Sequence, residues 1–406
     1  MSQIWPFKID IPLSDIADLK SRLARTRYPD ENEDNVNKKG SPPASVKRIV
    51  EYWSSTFDWR KAEAKLNSFP HFETDIAVDG FEPVSVHFIH AKSSKPKPSS
   101  GSIPIPVLFV HGWPGSFYEG TRLIKPLTEN AEMAFDVVVP SLPNFGFSGG
   151  VSQSGFSVDQ HAELLHKLML RLGYDKYVTQ GGDWGGFITR AMAMRYGPRH
   201  LRAQHLNLAF WGFPSVRKTP LLFLQSLVTP FTTAERAWLE KTGKFFTEGN
   251  AYALMQSTRP LTVGYGLADS PVALLAWIYE KLDAWTGSGA YEWSEEEVCT
   301  WVSIYWFSRA GPAASSRIYY EFQQDVESTL GRLRNWSHVK IGLARFPHDP
   351  CGLPFLWARQ LGPIVFEHEH TAGGHFPAWE VPDAVVEDLV KMFGEEKCVA
   401  SLMKDT

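Results

Sequence analysis

Cysteine is scarce in this chain of 406 residues: Cys299, Cys351 and Cys398 are odd in number and scattered. None sits at a zinc or redox spacing, so reduced thiols in a reducing compartment, the cytoplasm, are expected. Surplus charge is lacking too. Lys and Arg number 41 against 45 Asp and Glu, a formal net charge of −4, which gives no reason to expect nucleic acid or an anionic membrane as a partner. No run approaches the ~20 apolar residues of a membrane span. The start, Met1-Ser2-Gln3-Ile4-Trp5-Pro6-Phe7, lacks a basic segment followed by an apolar one, so neither signal peptide nor membrane anchor is expected. The glycines at 181–186 match neither nucleotide fingerprint, and no Lys-Ser/Thr follows them.

Aromatic residues, by contrast, are plentiful. They reach 13% with 15 Trp, enough to fill a bulky core or to line an apolar cavity. Residues 1–75 read as a helical wrap on something larger, because Ile16, Leu19, Leu23, then Val46, Ile49, Val50, Trp53, then Trp59, Ala62, Leu66 recur at helical spacing. Val84–His90 alternates like a half-buried strand. Lys92–Ser102, rich in Lys, Pro and Ser, reads as an exposed loop. Ile105–Val110 and Phe135–Pro140 are short apolar runs suited to parallel strands covered on both faces. A helix over Val158–Leu172, a strand from Tyr177 and another helix complete an alternation that predicts an open, mostly parallel α/β sheet with helices on both faces. From 214 to 335 the chain turns helical and aromatic. Strand patterns resume at Val339–Ala344 and Pro363–Glu367, before a helix over Pro382–Phe393. The expected organisation is an N-terminal helical extension (1–75), a first core segment (76–213), a helical cap (214–335) and a second core segment (336–406). A cap inserted there would cover the C-terminal strand ends, where open α/β sheets hold ligands.

The stretch Val178-Thr179-Gln180-Gly181-Gly182-Asp183-Trp184-Gly185-Gly186 has the small-x-nucleophile-x-small pattern of a sharp strand-to-helix turn. The apex is usually serine; here it is Asp183. A carboxylate, with an ordinary pKa of about 3.9, needs no base to activate it. It can attack a strained or polarised sp³ carbon and leave an alkyl ester on the enzyme. An aspartate can also simply cap a helix, so partners must decide. Asp349 follows the strand 340–344, and His375 follows the strand 364–367 within Thr371-Ala372-Gly373-Gly374-His375-Phe376. Nucleophile, acid, histidine is the chain order of a hydrolase triad on such a sheet. Glu367, Glu369 and Glu380 could also orient the imidazole; Asp349 is preferred because it follows the strand before the histidine's strand.

His111-Gly112-Trp113-Pro114-Gly115 follows the strand ending at Val110. On this template the backbone N–H groups of Trp113 and Trp184 form an oxyanion hole, and Pro114, lacking an N–H, fixes the turn. His368 and His370 would share a strand face, near His348, Asp349 and His375 in sequence. Neither a helical His-Glu-x-x-His nor a cysteine pair accompanies them, so no metal and no organic cofactor is expected.

With these residues in place, the chain resembles the epoxide hydrolases of the α/β-hydrolase fold, in particular the soluble fungal members of the microsomal-type group. His111–Ser116, Gly181–Gly185 and Gly373–Phe376 carry the resemblance, with Pro6–Ile9 and Leu19–Tyr28 at the N-terminus. It implies two cap tyrosines as proton donors. Tyr252 matches the first, and the Arg-x-Tyr-x-Glu pattern at Arg317 selects Tyr319 over its neighbour Tyr320. It implies that Asp183 attacks an apolar aryl or alkyl epoxide and that water, activated by His375 and Asp349, frees a vicinal diol. The family usually has Gly where this chain has Asn144; Asn tolerates positive φ, so the turn should survive. A homodimer would fit the resemblance. Two other readings share the frame: a haloalkane dehalogenase using the same aspartate, and a catalytically silent binding protein.

Overall fold

The computed structural model describes residues 3–30, 40–94, 104–130, 132–208, 210–287 and 289–394. Cys398 and most of the Lys92–Ser102 stretch lie outside them. Nine strands form one sheet: β1 (Trp5–Pro6), β2 (His71–Ile76), β3 (Val84–Ala91), β4 (Ile105–Val110), β5 (Phe135–Pro140), β6 (Tyr177–Gly181), β7 (Leu201–Leu206), β8 (Lys340–Arg345) and β9 (Ile364–Glu369). Their order is β1-β2-β3-β5-β4-β6-β7-β8-β9. The pairings from β5 through β4 to β9 are parallel, and those of β1, β2 and β3 are antiparallel. Every residue of β4, β5 and β6 is buried, the polar Asp136, Thr179 and Gln180 included, as befits central strands covered on both faces. The edge strand β9 alternates half-buried and exposed residues instead.

The N-terminal extension is not wholly helical. Helices Leu13–Ala24, Pro43–Ser55 and Trp59–Leu66 stand where the periodicity puts them, but Trp5–Pro6 and His71–Ile76 are strands. The hexapeptide His71-Phe72-Glu73-Thr74-Asp75-Ile76 has too few apolar residues to announce itself. Its pairing with β3, Phe72 opposite Phe88 and Thr74 opposite Val86, makes it a strand. Pro6 is tolerated because β1 is two residues long and lies at the sheet edge.

Between β7 and β8 the described residues hold helices and no strand. Two of these helices open with reciprocal capping boxes, Thr232 with Glu235 and Ser294 with Glu297. The helix Glu295–Trp306 fastens this layer to the sheet. Trp301 Nε1 donates to Pro114 O at 2.6 Å, and Tyr305 Oη donates to Gly115 O at 2.6 Å. The N-terminal extension grips the same helix, since Trp53 Nε1 donates to Ser303 Oγ at 3.1 Å. The loop after β4 is thereby held from above. Asn144 does adopt a positive φ, 70°, and its Oδ1 accepts from Val151 N at 2.9 Å and Arg317 Nη1 at 3.1 Å. Glycine could not make that second link to the helical layer. Among the described residues no single helix is long and apolar enough to cross a membrane.

Glycine is required where β6 turns into the helix Asp183–Tyr196: a Cβ on Gly185 would stand 1.8 Å from Val110 O. Gly185→Ala should destabilise the fold by about 3 kcal/mol or more, because the obstacle is backbone. The exposed helical Gly243 meets nothing within 4 Å, so Gly243→Ala should gain roughly 0.5–1 kcal/mol. Urea unfolding of both variants checks the opposite signs.

Candidate active site

The strand-to-helix turn presents Asp183 in the left-handed region, φ 47°. For a non-glycine residue that costs roughly 1–3 kcal/mol and persists only when its surroundings impose it. Here they do. Gly181 lies so close to the helix that a Cβ would come 2.8 Å from Gly185 backbone, and Gly112 passes so near that a Cβ would touch Asp183 Oδ1 at 2.3 Å. The carboxylate is held on both sides. Oδ1 accepts from Trp113 N at 2.8 Å, and Oδ2 faces His375 Nε2 at 3.5 Å. Trp184 lies in the first helical turn, where N–H groups have no intrahelical partner and the helix dipole is positive.

On the far side of the imidazole, His375 Nδ1 lies 3.1 Å from Asp349 Oδ2. Asp349 is 7% exposed, and its Oδ1 accepts from Cys351 N at 2.9 Å. The structure therefore brings Asp183, His375 and Asp349 into one line. Of the other acids considered from sequence, Glu367 is exposed and Glu369 accepts from Trp238 Nε1 at 3.1 Å. Glu380 accepts from Phe376 N at 2.8 Å and makes no hydrogen bond to the ring. His375 is placed by its own backbone, which donates to Trp285 O at 2.9 Å, and by the Trp285 ring at 4.7 Å. Burial alone would lower the imidazole pKa. The Asp349 charge and the bonds to Asp183 and Asp349 outweigh it and lift the pKa to about 10.

Over the carboxylate lie Tyr252, on the helix Ala251–Thr258, and Tyr319, on Arg317–Gln323. They are 8% and 6% exposed, their ring centroids 6.0 Å apart. Tyr252 stacks on Trp113 at 4.9 Å, and Tyr319 meets Trp184 edge-on at 4.8 Å. Burial first pushes the Tyr252 phenol well above its usual pKa, with the Asp183 charge adding to it; burial does the same for Tyr319, reinforced by Tyr252 and Asp183. Both phenols therefore keep their protons. Tyr320 is 38% exposed and turned away.

The two histidines at the end of β9 meet a third group, a carboxylate. His368 Nδ1 and His370 Nε2 converge on the buried Asp388 at 2.6 and 2.7 Å, away from His375. Burial would raise the Asp388 pKa, but hydrogen bonds from His205, His370 and His368 draw it down. Sequence reasoning missed one residue of the site, Glu119. It lines a small cavity with Asp183 and His375, and burial raises its pKa to about 8 despite the opposing pull of His375.

The fold matches known proteins across nearly the whole chain. Residues 4–120 match the family model described as epoxide hydrolase N terminus, and 105–298 match that of the alpha/beta hydrolase fold. The chain is 35% identical to Epoxide hydrolase 1 of Sus scrofa over 414 residues, covering 96% of this chain and 88% of the relative. The crystal structure of juvenile hormone epoxide hydrolase from the silkworm Bombyx mori superposes with a TM-score of 0.86 at 29% identity, covering 97% of this chain and 95% of that one. Aspergillus niger epoxide hydrolase superposes with a TM-score of 0.80 at 32% identity, covering 96% and 95%. An aspartate at the apex of the turn, a histidine–aspartate pair behind it and relatives of this length lead to one conclusion: the chain belongs to the epoxide hydrolase family of the α/β-hydrolase fold.

Proposed function

We propose that the enzyme opens apolar aryl or alkyl epoxides through an ester on Asp183 and then hydrolyses that ester to a vicinal diol, with residues 214–335 as the cap that encloses the substrate. The observation that carries this reading is the Asp183 carboxylate, held at Oδ1 by Trp113 N–H and overlooked by two buried phenols. Oδ2 attacks one ring carbon in line with the C–O bond. Tyr252 and Tyr319 hydrogen-bond the departing oxygen, and one of them protonates it. Such help is typically worth 10²–10⁴-fold, since an alkoxide is a poor leaving group. A halide would not use two phenolic acids, which favours an epoxide over a haloalkane. The rings of Trp113, Trp184 and Trp285 suit an apolar substrate body. Buried Cys299 and half-buried Cys351, both unpaired, suit a reducing compartment such as the cytoplasm.

Ester formation itself then turns on the base. In the free enzyme His375 lies between two carboxylates and is protonated. Alkylation removes the charge of Asp183, one of the two supports of that raised pKa, so the imidazole releases its proton and can take one from water. Water adds to the Asp183 carbonyl, and the oxyanion forms at Oδ1, where Trp113 and Trp184 N–H groups stabilise it. Losing one such donor typically costs ~10²–10³ in rate. No metal or organic cofactor takes part.

A single turnover in ¹⁸O-water should give unlabelled diol, its new oxygen coming from Asp183; solvent label in that first diol would refute covalent attack. Asp183→Ala should abolish turnover, and His375→Gln should accumulate an adduct on the peptide bearing Asp183, read by mass spectrometry after acid quench. Replacing both Tyr252 and Tyr319 by Phe should slow ester formation ~10²–10⁴-fold, whereas Tyr320→Phe should change it little. The raised histidine pKa also fixes a sign for stability. A folded value near 10 against an ordinary 6.5 stabilises fully below pH 6.5, and that contribution fades as pH climbs to 10. The stability advantage of wild type over His375→Gln in urea unfolding should shrink across that window.

A further inference from the structure

Beside the Asp183 carboxylate lies a cavity of about 20 Å³, bounded among others by Gly112, Glu119, Gln180, Asp183, Asn207 and His375. One water needs roughly 10–15 Å³, so the space suits one water and excludes an epoxide. Its walls carry two buried oxygens without a protein hydrogen-bond partner, Glu119 Oε1 and Gln180 Oε1. Buried polar atoms are seldom left so, and a bound water is the usual reason. The Gln180 amide is oriented by Nε2, which donates to Asn207 Oδ1 at 2.8 Å. Glu119 is 7% exposed, and its carboxyl reaches this place only because Gly115 has no side chain: a Cβ there would lie 1.5 Å from Glu119 Oε1. The loop carbonyls of Pro114 and Gly115 are tied to Trp301 and Tyr305, so the seat is rigid.

We propose that Glu119 is a positioning residue that, with Gln180, holds the hydrolytic water against the Asp183 ester on the side where His375 stands. The proposal rests on the ester route given above. In the step concerned, the water oxygen bonds to Asp183 Cγ, the carbonyl π pair moves to Oδ1, and the water proton passes to His375 Nε2. Collapse of the intermediate breaks the bond from Cγ to the alkyl oxygen, which takes that proton back. Glu119 accepts a hydrogen bond from the water and exchanges no net proton. It is facing His375, Asp183, Glu380 of the turn Pro377–Glu380, Tyr305 of the cap helix, and His111, which burial keeps neutral. A neutral carboxyl there adds no further anion beside His375. An ionised one would favour the imidazolium and leave less neutral imidazole to take the water proton, so burial, which raises the Glu119 pKa, keeps the base available and gives the second step an alkaline limb.

Rapid-quench mass spectrometry with styrene oxide separates the two steps. Glu119→Ala should form ester at a rate within about threefold of wild type and hydrolyse it about 10²-fold more slowly, the scale of a misplaced reactant. Glu119→Gln, which keeps the shape and a hydrogen bond, should restore hydrolysis to within about tenfold and lose the alkaline limb of the second step. Gly115→Ala, which pushes the carboxyl off its seat while retaining it, should act like Glu119→Ala and guards against a variant that does not fold. Wild-type hydrolysis rates in Glu119→Ala, or equal slowing of both steps, would overturn the proposal. His375→Gln, run alongside, reports on the ester route itself: no adduct there sinks the route, whereas an adduct there with fast hydrolysis in Glu119→Ala sinks only the role of Glu119.

Discussion

One imidazole between two carboxylates sets the character of this molecule. His375 is buried, and burial penalises a charge, yet Asp349 on one nitrogen and Asp183 on the other make the cation the favoured form. The balance is delicate because the opposing effects are both large. Removing either anion tips the ring towards its neutral form. In the proposed reaction the substrate itself removes one anion by esterifying it, so the base appears when there is an ester to hydrolyse and not before.

The rest of the fold keeps those three side chains in line. The parallel strands β4, β6, β8 and β9 deliver the loop of Trp113, the apex Asp183, the loop of Asp349 and the loop of His375 to one edge of the sheet. Glycines at 112, 181 and 185 let these loops approach to distances that no Cβ would survive. The helical layer does more than cover the edge. Through Trp301 and Tyr305 it grips the loop whose N–H holds Asp183. Through the carbonyl of Trp285 it holds the backbone of His375. A movement of this helical layer would therefore disturb the partners of Asp183 and His375 together.

How much of this could be read from sequence follows from how local each cause is. The turn at Asp183 was legible because its requirement, small residues at fixed offsets from the apex, is written in nine consecutive letters. Asp349 and His375 were legible because strand order on an open sheet puts the ends of successive strands side by side. β2 was not, since His71–Ile76 owes its conformation to β3, a long-range partner. The neighbours Tyr319 and Tyr320 differ by 100° of helix phase, which a pattern suggests and only packing decides. His368 and His370 do share a strand face, but what they face, Asp388, comes from a helix 18 residues further on. Glu119 was hidden in plain view. An acid in the first turn of a helix satisfies the dipole, so nothing in the letters hints that its carboxyl turns inward.

The same geometry explains why two reactants of different polarity can share one carboxylate. The phenols of Tyr252 and Tyr319 and the ring of Trp285, all from the helical layer, lie over Asp183 with the rings of Trp113 and Trp184 and offer an apolar environment to a substrate body. Among the described residues none of 214–335 lines the small cavity beside it, whose walls come from the sheet and its loops and carry Glu119 and Gln180. In the proposed reaction a water held there stands beside His375 and the Asp183 carboxylate, apart from the epoxide under the phenols. Direct hydration of the ring would need a water on the cap side, where the surrounding surface is aromatic. Confining the water to the other side leaves it only the ester carbonyl as an electrophile. In the proposed reaction the order of events, alkylation and then hydrolysis, follows from this separation of water and substrate on the two sides of Asp183.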